Sequence, residues 1–485
     1  MFFRMLYDDT LAQASYLIGC QRTGEGLVVD PERDVQRYLD LADREGLRIV
    51  AIAETHIHAD FLSGSRELAE RTSARVYLSN SGGEEWKYRW PERKQGGAGA
   101  FTGGSYDHDL LTGGDRFKVG MIEFEALHTP GHTPEHLCYL ITDRSNAHEP
   151  MGILSGDFVF VGDVGRPDLL ESAAGQAGAA LQSARWLYQS LQGFFNFPGY
   201  LQLWPGHGAG SACGKALGAV PQSTVGYEKL FNPAVLASQE SEARFIEEIL
   251  TGQTEPPYYF ARMKHDNQHG PKPLEGWPEP PALRVHELLE RVDQNAIIVD
   301  TRPWLEFRMG HLPGALHVPL TNDFSTLAGS YIEPEKTIYL IAPDRRGPEA
   351  IAALIRIGLD NIAGRLEPQS LAEYQSKGGK LRAIEEIDGE ELQRRVQQNG
   401  VCVLDVRSAF ELELGRISGA LNIAHTRLLP RLREIPRDRP LVVHCQKGDR
   451  SPGAVAMLAH HGYEVVHLAN GLRSWLRAGG ELEVN

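Results

Sequence analysis

Twenty residues of this chain occur twice, and that repeat constrains the fold more than any other feature. VDTRPWLEFRMGHLPGALHV begins at Val299, and LDVRSAFELELGRISGALNI begins at Leu404, 105 residues later. Asp300, Arg302, Glu306, Gly310, Gly314, Ala315 and Leu316 recur as Asp405, Arg407, Glu411, Gly415, Gly419, Ala420 and Leu421, with no gap. Agreement in register over that length marks two copies of one domain. In each copy a β-branched run (AIIVDTR, VCVLDVR) reads as a buried strand, and a second run follows (IYLIA, PLVVHC). Helical patterns come next, EAIAALIRIG and GAVAMLAHHG. Strands alternating with helices predict an α/β domain with a mainly parallel sheet.

The rest of the chain divides around this pair. HGPKPLEGWPEPPAL, residues 269–283, holds five prolines and little to pack, so it reads as a linker. The expected domains are therefore 1–268, the two copies at 284–380 and 384–485, and the linker between. A chain of 485 residues is too long for one core. Its net charge of −15 argues against non-specific nucleic-acid binding. The start, MFFRMLYDDT, lacks a basic region followed by an apolar run, so no signal peptide is expected. No stretch approaches the roughly 18 apolar residues of a membrane span. Five scattered cysteines suggest reduced thiols and a cytoplasmic setting.

The first 268 residues carry a different signal. LRIVAIAET reads as a strand running into THIHADFLSG, and SGSRELAERT as a helix after it. Further strand-like runs end in FEALHTPGHTPEH, MGILSGD and LQLWPGHG. The candidate donors are His56, His58, Asp60, His132, Asp157 and His207. A lone histidine is more often a surface or core residue than a ligand. Imidazoles and carboxylates delivered from the ends of several strands instead make a site on a rigid scaffold, with donors suited to zinc or iron.

These motifs, in this order, resemble the metallo-β-lactamase superfamily. The resemblance implies an αββα sandwich with a metal at one edge. In the dinuclear hydrolases of that superfamily, such as glyoxalase II, a His after the Asp of HxHxD helps hold a second zinc. Here that place is Phe61, which coordinates nothing, so one metal is expected rather than two. The closer resemblance is to the persulfide dioxygenases, the mononuclear iron branch. It implies one Fe(II) on His56, His132 and Asp157, a 2-His-1-carboxylate face with open positions. It makes His58, Asp60 and His207 neighbours of the metal. The branch usually keeps the His that Phe61 replaces, so Phe61 is a departure and predicts a drier pocket.

Two further features lie close by. GDVGRPD contains Arg166 and Asp168, which either line the site, with Arg166 facing an anionic persulfide, or form a structural ion pair. HGAGSACGKALG contains Cys213, which either carries sulfur at the mouth of the site or packs as a small residue.

The last strong motif is LVVHCQKGDRS, Leu441 to Ser451. A strand ends at Cys445, a loop of Gln446, Lys447, Gly448 and Asp449 follows, and a helix opens after Arg450. Loop amides and a helix N-terminus concentrate positive potential there, and Arg450 adds to it. Such surroundings favour the thiolate, the nucleophilic form. With the DVR segment this resembles the rhodanese family. The spacing from Cys445 to Arg450 is the C-x4-R loop with which rhodaneses cradle a persulfide; related phosphatases use C-x5-R. The matching segment of the first copy, YLIAPDRRGPEA, has no cysteine, which predicts a structural or docking copy. Asp344, Arg345 and Arg346 are its candidate contacts.

Taken together, the chain is similar to the persulfide dioxygenase–sulfurtransferases of bacterial sulfide detoxification. The resemblance implies a small thiol persulfide, O2, sulfite and thiosulfate as substrates and products. It also implies a homo-oligomer; the net charge and the lack of a long apolar run are the reasons no nucleic-acid or membrane partner is expected. A zinc thioester hydrolase with an appended sulfurtransferase is the alternative.

Overall fold

The computed structural model describes residues 1–92, 105–172, 178–274 and 276–484. The chain forms two units, Met1–Gly276 and Trp277–Asn485.

The first unit is the expected αββα sandwich. One six-stranded sheet runs in chain order: Phe2–Asp8, Gln13–Cys20, Glu25–Val29, Arg48–Ala53, Arg75–Ser79 and His108–Leu111. Its first two pairings are antiparallel and the rest parallel. The second sheet runs Ser223–Thr224, Gln202–Pro205, Gly152–Gly156, Leu137–Asp143, Ile122–His128 and Arg116–Val119. The pattern follows from burial. Gln13–Cys20 is buried at every position, as a central strand covered on both faces requires. Tyr16, Ile18, Leu27, Val29, Phe124, Tyr139 and Leu154 meet in the core between the sheets. The alternate residues Leu17, Val28 and Ile52 turn outward, to a layer with Tyr38, Leu41 and Leu68 from the helices Gln36–Arg44 and Ser65–Thr72. The helix Ala179–Phe194 covers the other sheet through Ala184, Leu187 and Leu191.

The second unit contains both copies. The first has a four-stranded parallel sheet in the order Leu316–His317, Ala296–Asp300, Thr337–Ile341, Ile362–Leu366. The second has a five-stranded parallel sheet, Glu385–Ile387, Val465–Leu468, Leu441–His444, Cys402–Asp405, Leu421–Asn422. The identities of the repeat acquire a reason here. Arg302 Nη2 donates to Asp300 Oδ2 and to the Gly310 carbonyl, at 2.7 and 2.8 Å. Arg407 repeats both bonds to Asp405 and Gly415, at 2.6 and 2.9 Å. Each arginine ties the end of a core strand to the turn that returns the chain. Asp405 and Arg407 are both 0% exposed. Removing one partner of such a pair strands a buried charge. Arg407→Ala is therefore expected to cost the second unit about 3–5 kcal/mol, read as a lower denaturant midpoint than the wild-type chain.

The proline-rich stretch expected as a linker is anchored at both ends. The Gly270 carbonyl accepts from Arg66, and the Leu274 N–H donates to Glu67 Oε2. At its far end Ala282 bridges Arg365, and the Leu283 N–H donates to the Arg365 carbonyl at 2.8 Å. A segment poor in side chains to bury is held by its backbone instead. Glu275 lies outside the described residues. Among the described residues no helix is long and apolar enough to cross a membrane.

Candidate metal centre and cysteine loop

The strand Arg48–Ala53 leads into His56, His58 and Asp60; Ile122–His128 into His132; Gly152–Gly156 into Asp157; and Gln202–Pro205 into His207. All six side chains are buried. His56, His132 and Asp157 each offer a donor atom within 4.8 Å of the others. Asp157 Oδ2 lies 3.4 Å from His132 Nε2, 3.9 Å from His56 Nε2 and 3.5 Å from His207 Nε2.

The opposite nitrogens are held from behind. His56 Nδ1 lies 2.9 Å from Thr55 Oγ1, whose hydroxyl donates to Asp30 Oδ2 at 2.8 Å. His132 Nδ1 donates to the Arg166 carbonyl at 2.9 Å, and His207 Nδ1 to the Ala12 carbonyl at 3.2 Å. A proton on Nδ1 leaves the Nε2 lone pair turned toward the other donors around Asp157, which is the tautomer a cation requires. Burial pushes His56 well down and His132 down to about 4, so both imidazoles are neutral at neutral pH. Burial pushes Asp157 and Asp60 up, each to about 6. Both carboxylate oxygens of Asp60 and of Asp157, and His207 Nε2, are buried without a hydrogen-bond partner. Unsatisfied carboxylates in a dry interior are costly, and a divalent cation among them removes that cost. The donor set fits a metal.

Two glycines of the motifs have steric reasons. Gly156 has φ +50°, a conformation that lets Asp157 turn inward from its strand. At Gly206 a Cβ would stand 2.6 Å from Asp157 Oδ1. That explains Gly in both SGD and PGH.

Other residues around the centre escape the sequence reading. His136 Nε2 accepts from the Asp157 N–H at 2.9 Å, and its ring stacks on His56 at 5.2 Å. Its only linear signal is the last letter of HTPEH. Asp30 also accepts the Thr55 N–H at 2.7 Å, and Glu135 accepts the Ile57 N–H at 2.8 Å. His58 sits behind His56, its ring 4.2 Å away, with Nε2 3.2 Å from Asp30 and 3.3 Å from Glu54. Burial alone would lower it, but the two carboxylates outweigh burial and hold it well above its ordinary value. Phe61 is 0% exposed and packs its ring 4.4 Å from His58.

Arg166 takes the ion-pair alternative. Its guanidinium is spent on Asp168, at 2.8 and 2.7 Å, and on the Ala212 and Thr254 carbonyls. It reaches the centre through its carbonyl, which orients His132, while its buried guanidinium is taken up by the Asp168 carboxylate. Cys213 is 1% exposed, and burial with Asp60 and Asp157 nearby pushes its thiol well up. With Asp60 and His207 it forms a second set of donors within 4.8 Å of one another. Phe61 removes the local donor for a second cation, and the fold brings another from a loop about 150 residues on. That placement depends on tertiary structure alone.

The cysteine loop lies between the strand Leu441–His444 and the helix Ser451–His460. Cys445 Sγ accepts from the Gly448 N–H at 3.2 Å, and Asp449 Oδ1 lies 3.4 Å away. Gly448 has φ +89°, which turns that amide inward. Arg407 donates to Gln446 Oε1 at 3.2 Å. Lys447 pairs with Asp449 at the surface, at 3.1 Å. Arg450 forks onto Glu411 at 2.6 and 2.7 Å, so its charge is shared before it reaches the thiol. In the first copy Asp344 pairs with Arg365 and Arg346 with Glu349, both within that copy.

Residues 8–207 match the metallo-beta-lactamase superfamily, and residues 284–367 and 388–478 each match the rhodanese-like domain. The crystal structure of a metallo-beta-lactamase from Staphylococcus aureus subsp. aureus COL is 41% identical, covers 76% of this chain and 99% of that one, and superposes with a TM-score of 0.67. A beta-lactamase hydrolase-like protein of Xylella fastidiosa (strain 9a5c) is 27% identical over 48% of this chain. The chain spans 52% of that relative's length. The mitochondrial persulfide dioxygenase ETHE1 of Bos taurus is 22% identical over 51% of this chain and 82% of its own. The chain belongs to the metallo-β-lactamase superfamily, and rhodanese-like domains follow its sandwich. That pairing of folds indicates an enzyme with a metal site.

Proposed function

We propose that the sandwich oxidises the persulfide of a small thiol with O2, and that the second rhodanese-like copy moves sulfane sulfur through Cys445. The balanced oxidation is RSSH + O2 + H2O → RSH + SO3²⁻ + 2H⁺. The balanced transfer is Cys445–S⁻ + S2O3²⁻ → Cys445–S–S⁻ + SO3²⁻, in either direction. One site makes the sulfite that the other can convert to thiosulfate. The observation that carries the reading is the convergence of His56, His132 and Asp157, two neutral imidazoles and a carboxylate, in a buried cluster, with Phe61 packed against the neighbouring His58. The bovine relative named a persulfide dioxygenase supports it.

Iron(II) on these three residues would supply redox chemistry toward O2, whereas zinc would supply a Lewis acid for water. The chain's own groups do the rest. Thr55 and the Arg166 carbonyl hold the two imidazoles in one tautomer. Phe61 excludes water from the side of His58. His58, between Asp30 and Glu54, holds a proton behind the centre. At the loop, the Gly448 amide steadies the charge on Cys445 Sγ.

The second reading, a zinc thioester hydrolase, draws on Asp60, His207 and Cys213, which form a donor set for another cation. O2 uptake separates the two. Protein loaded anaerobically with Fe(II) and given glutathione persulfide or coenzyme A persulfide should consume O2 and release sulfite, with one metal per chain. Two zinc ions per chain, no O2 uptake and turnover of a glutathione thioester would replace the dioxygenase with the hydrolase.

A further inference from the structure

Behind Cys445 runs a chain of polar side chains of which only Ser451 belongs to the motif LVVHCQKGDRS. Ser451 Oγ lies 3.6 Å from Cys445 Sγ and 2.9 Å from His467 Nε2. His467 Nδ1 lies 2.8 Å from Glu386 Oε2. Ser451 and His467 are 0% and 2% exposed, so the path is closed to solvent at its centre. Glu386 and His467 face each other on adjacent parallel strands, which fixes their register.

The far end of this path is held by the other copy. Trp304, on the helix Trp304–Met309 of the cysteine-free copy, donates its indole N–H to Glu386 Oε2 at 3.1 Å. Its ring meets the His467 ring edge-on at 5.0 Å. Arg308 Nε, from the same helix, lies 3.5 Å from Glu386 Oε1. The charged groups facing His467 are thus Glu386 and Arg308, and the His317 ring lies 5.3 Å from that of Trp304.

We propose that Ser451, His467 and Glu386 form a buried relay that takes the proton from Cys445, and that the cysteine-free copy completes it by holding Glu386 through Trp304 and Arg308. The proposal rests on reading Cys445 as the sulfur-transfer nucleophile. In the resting loop the thiol donates to Asp449 Oδ1 and the Ser451 hydroxyl to Cys445 Sγ; in the relay the hydroxyl turns to His467 Nε2 and gives up its proton there as the Sγ–H proton passes to Ser451 Oγ. The hydroxyl is unchanged, the thiolate is left on Cys445, and the imidazolium keeps its Nδ1–H on Glu386. The thiolate then attacks the outer sulfur of thiosulfate, an S–S bond forms as another breaks, and sulfite leaves with the electron pair. Burial lowers His467 and Glu386 opposes that, so the imidazole rests neutral and ready to accept. Ser451 touches the reacting sulfur; His467, Glu386 and Trp304 are positioning residues. The copy without a cysteine thereby has a chemical task although it has no nucleophile.

The test is the rate of Cys445 alkylation by iodoacetamide across mildly acidic to mildly basic pH, read on the Cys445 peptide by mass spectrometry in the full chain. The half-exposed Cys402 serves as the internal control. In His467→Asn the inflection should move to higher pH, and the rate at neutral pH should fall about tenfold. Trp304→Phe, which keeps a ring and loses the N–H, should shift the profile in the same direction by a smaller amount. Ser451→Ala should match His467→Asn, and Ser451→Thr should restore the wild-type profile, which a merely structural role would not do. An unchanged profile in both His467→Asn and Ser451→Ala overturns the relay. A normal wild-type profile with no sulfur transfer from thiosulfate to cyanide would instead remove the sulfurtransferase reading and leave the relay standing.

Discussion

Replacing His132 with alanine is expected to abolish O2 consumption and to strip the sandwich of its metal. Loss of a residue that merely supports a ligand weakens metal binding by about 10–100-fold. His132 is one of three direct donor candidates, so its loss should exceed that range. His56→Ala should behave alike, because His56 and His132 reach Asp157 from different strands and neither substitutes for the other. Thr55→Val should give the smaller, outer effect, since it removes only the hydroxyl between His56 and Asp30. Metal content by elemental analysis, with O2 uptake in parallel, checks all three. A His132→Ala protein that keeps stoichiometric metal and full O2 uptake would exclude these residues as the centre.

The second large effect is expected at the loop. Cys445→Ser should reduce sulfur transfer between thiosulfate and an acceptor by on the order of a thousandfold or more. A serine hydroxyl in the same cradle is a far weaker nucleophile than a thiolate and cannot form a persulfide. O2 uptake with an added small persulfide should be unchanged, because the sandwich carries its own donors. If uptake falls with sulfur transfer, the two activities share an obligatory intermediate, and the picture of two independent sites is wrong.

Much of the fold was readable in one dimension. The repeat predicted two α/β copies because Asp300 and Arg302, like Asp405 and Arg407, are close in sequence and close their bonds within one strand and turn. The sandwich followed from HxHxD, TPGH, SGD and PGH because each motif is a contiguous strand end that carries its own glycine or donor. Residues 269–283 read as a linker because proline and glycine leave little to pack. Its backbone bonds to Arg66 and Arg365 are invisible in composition.

What the sequence by itself determined are the chemistries that fit within a few residues: the metal-donor motifs, the C-x4-R loop and the missing nucleophile of the first copy. Only the tertiary structure decided the rest. It turned Arg166 from a candidate anion contact into a buried partner of Asp168. It brought Cys213 beside Asp60 and His207. It placed His136 under the Asp157 backbone, and Glu386 and Trp304 behind His467. The physical reason is the same in each case. A side chain's role is set by what it is buried against, and deciding neighbours such as Thr254 for Arg166, Asp60 for Cys213, Asp157 for His136 and Glu386 for His467 lie tens to more than a hundred positions away, joined by sheet register and packing rather than by spacing along the chain.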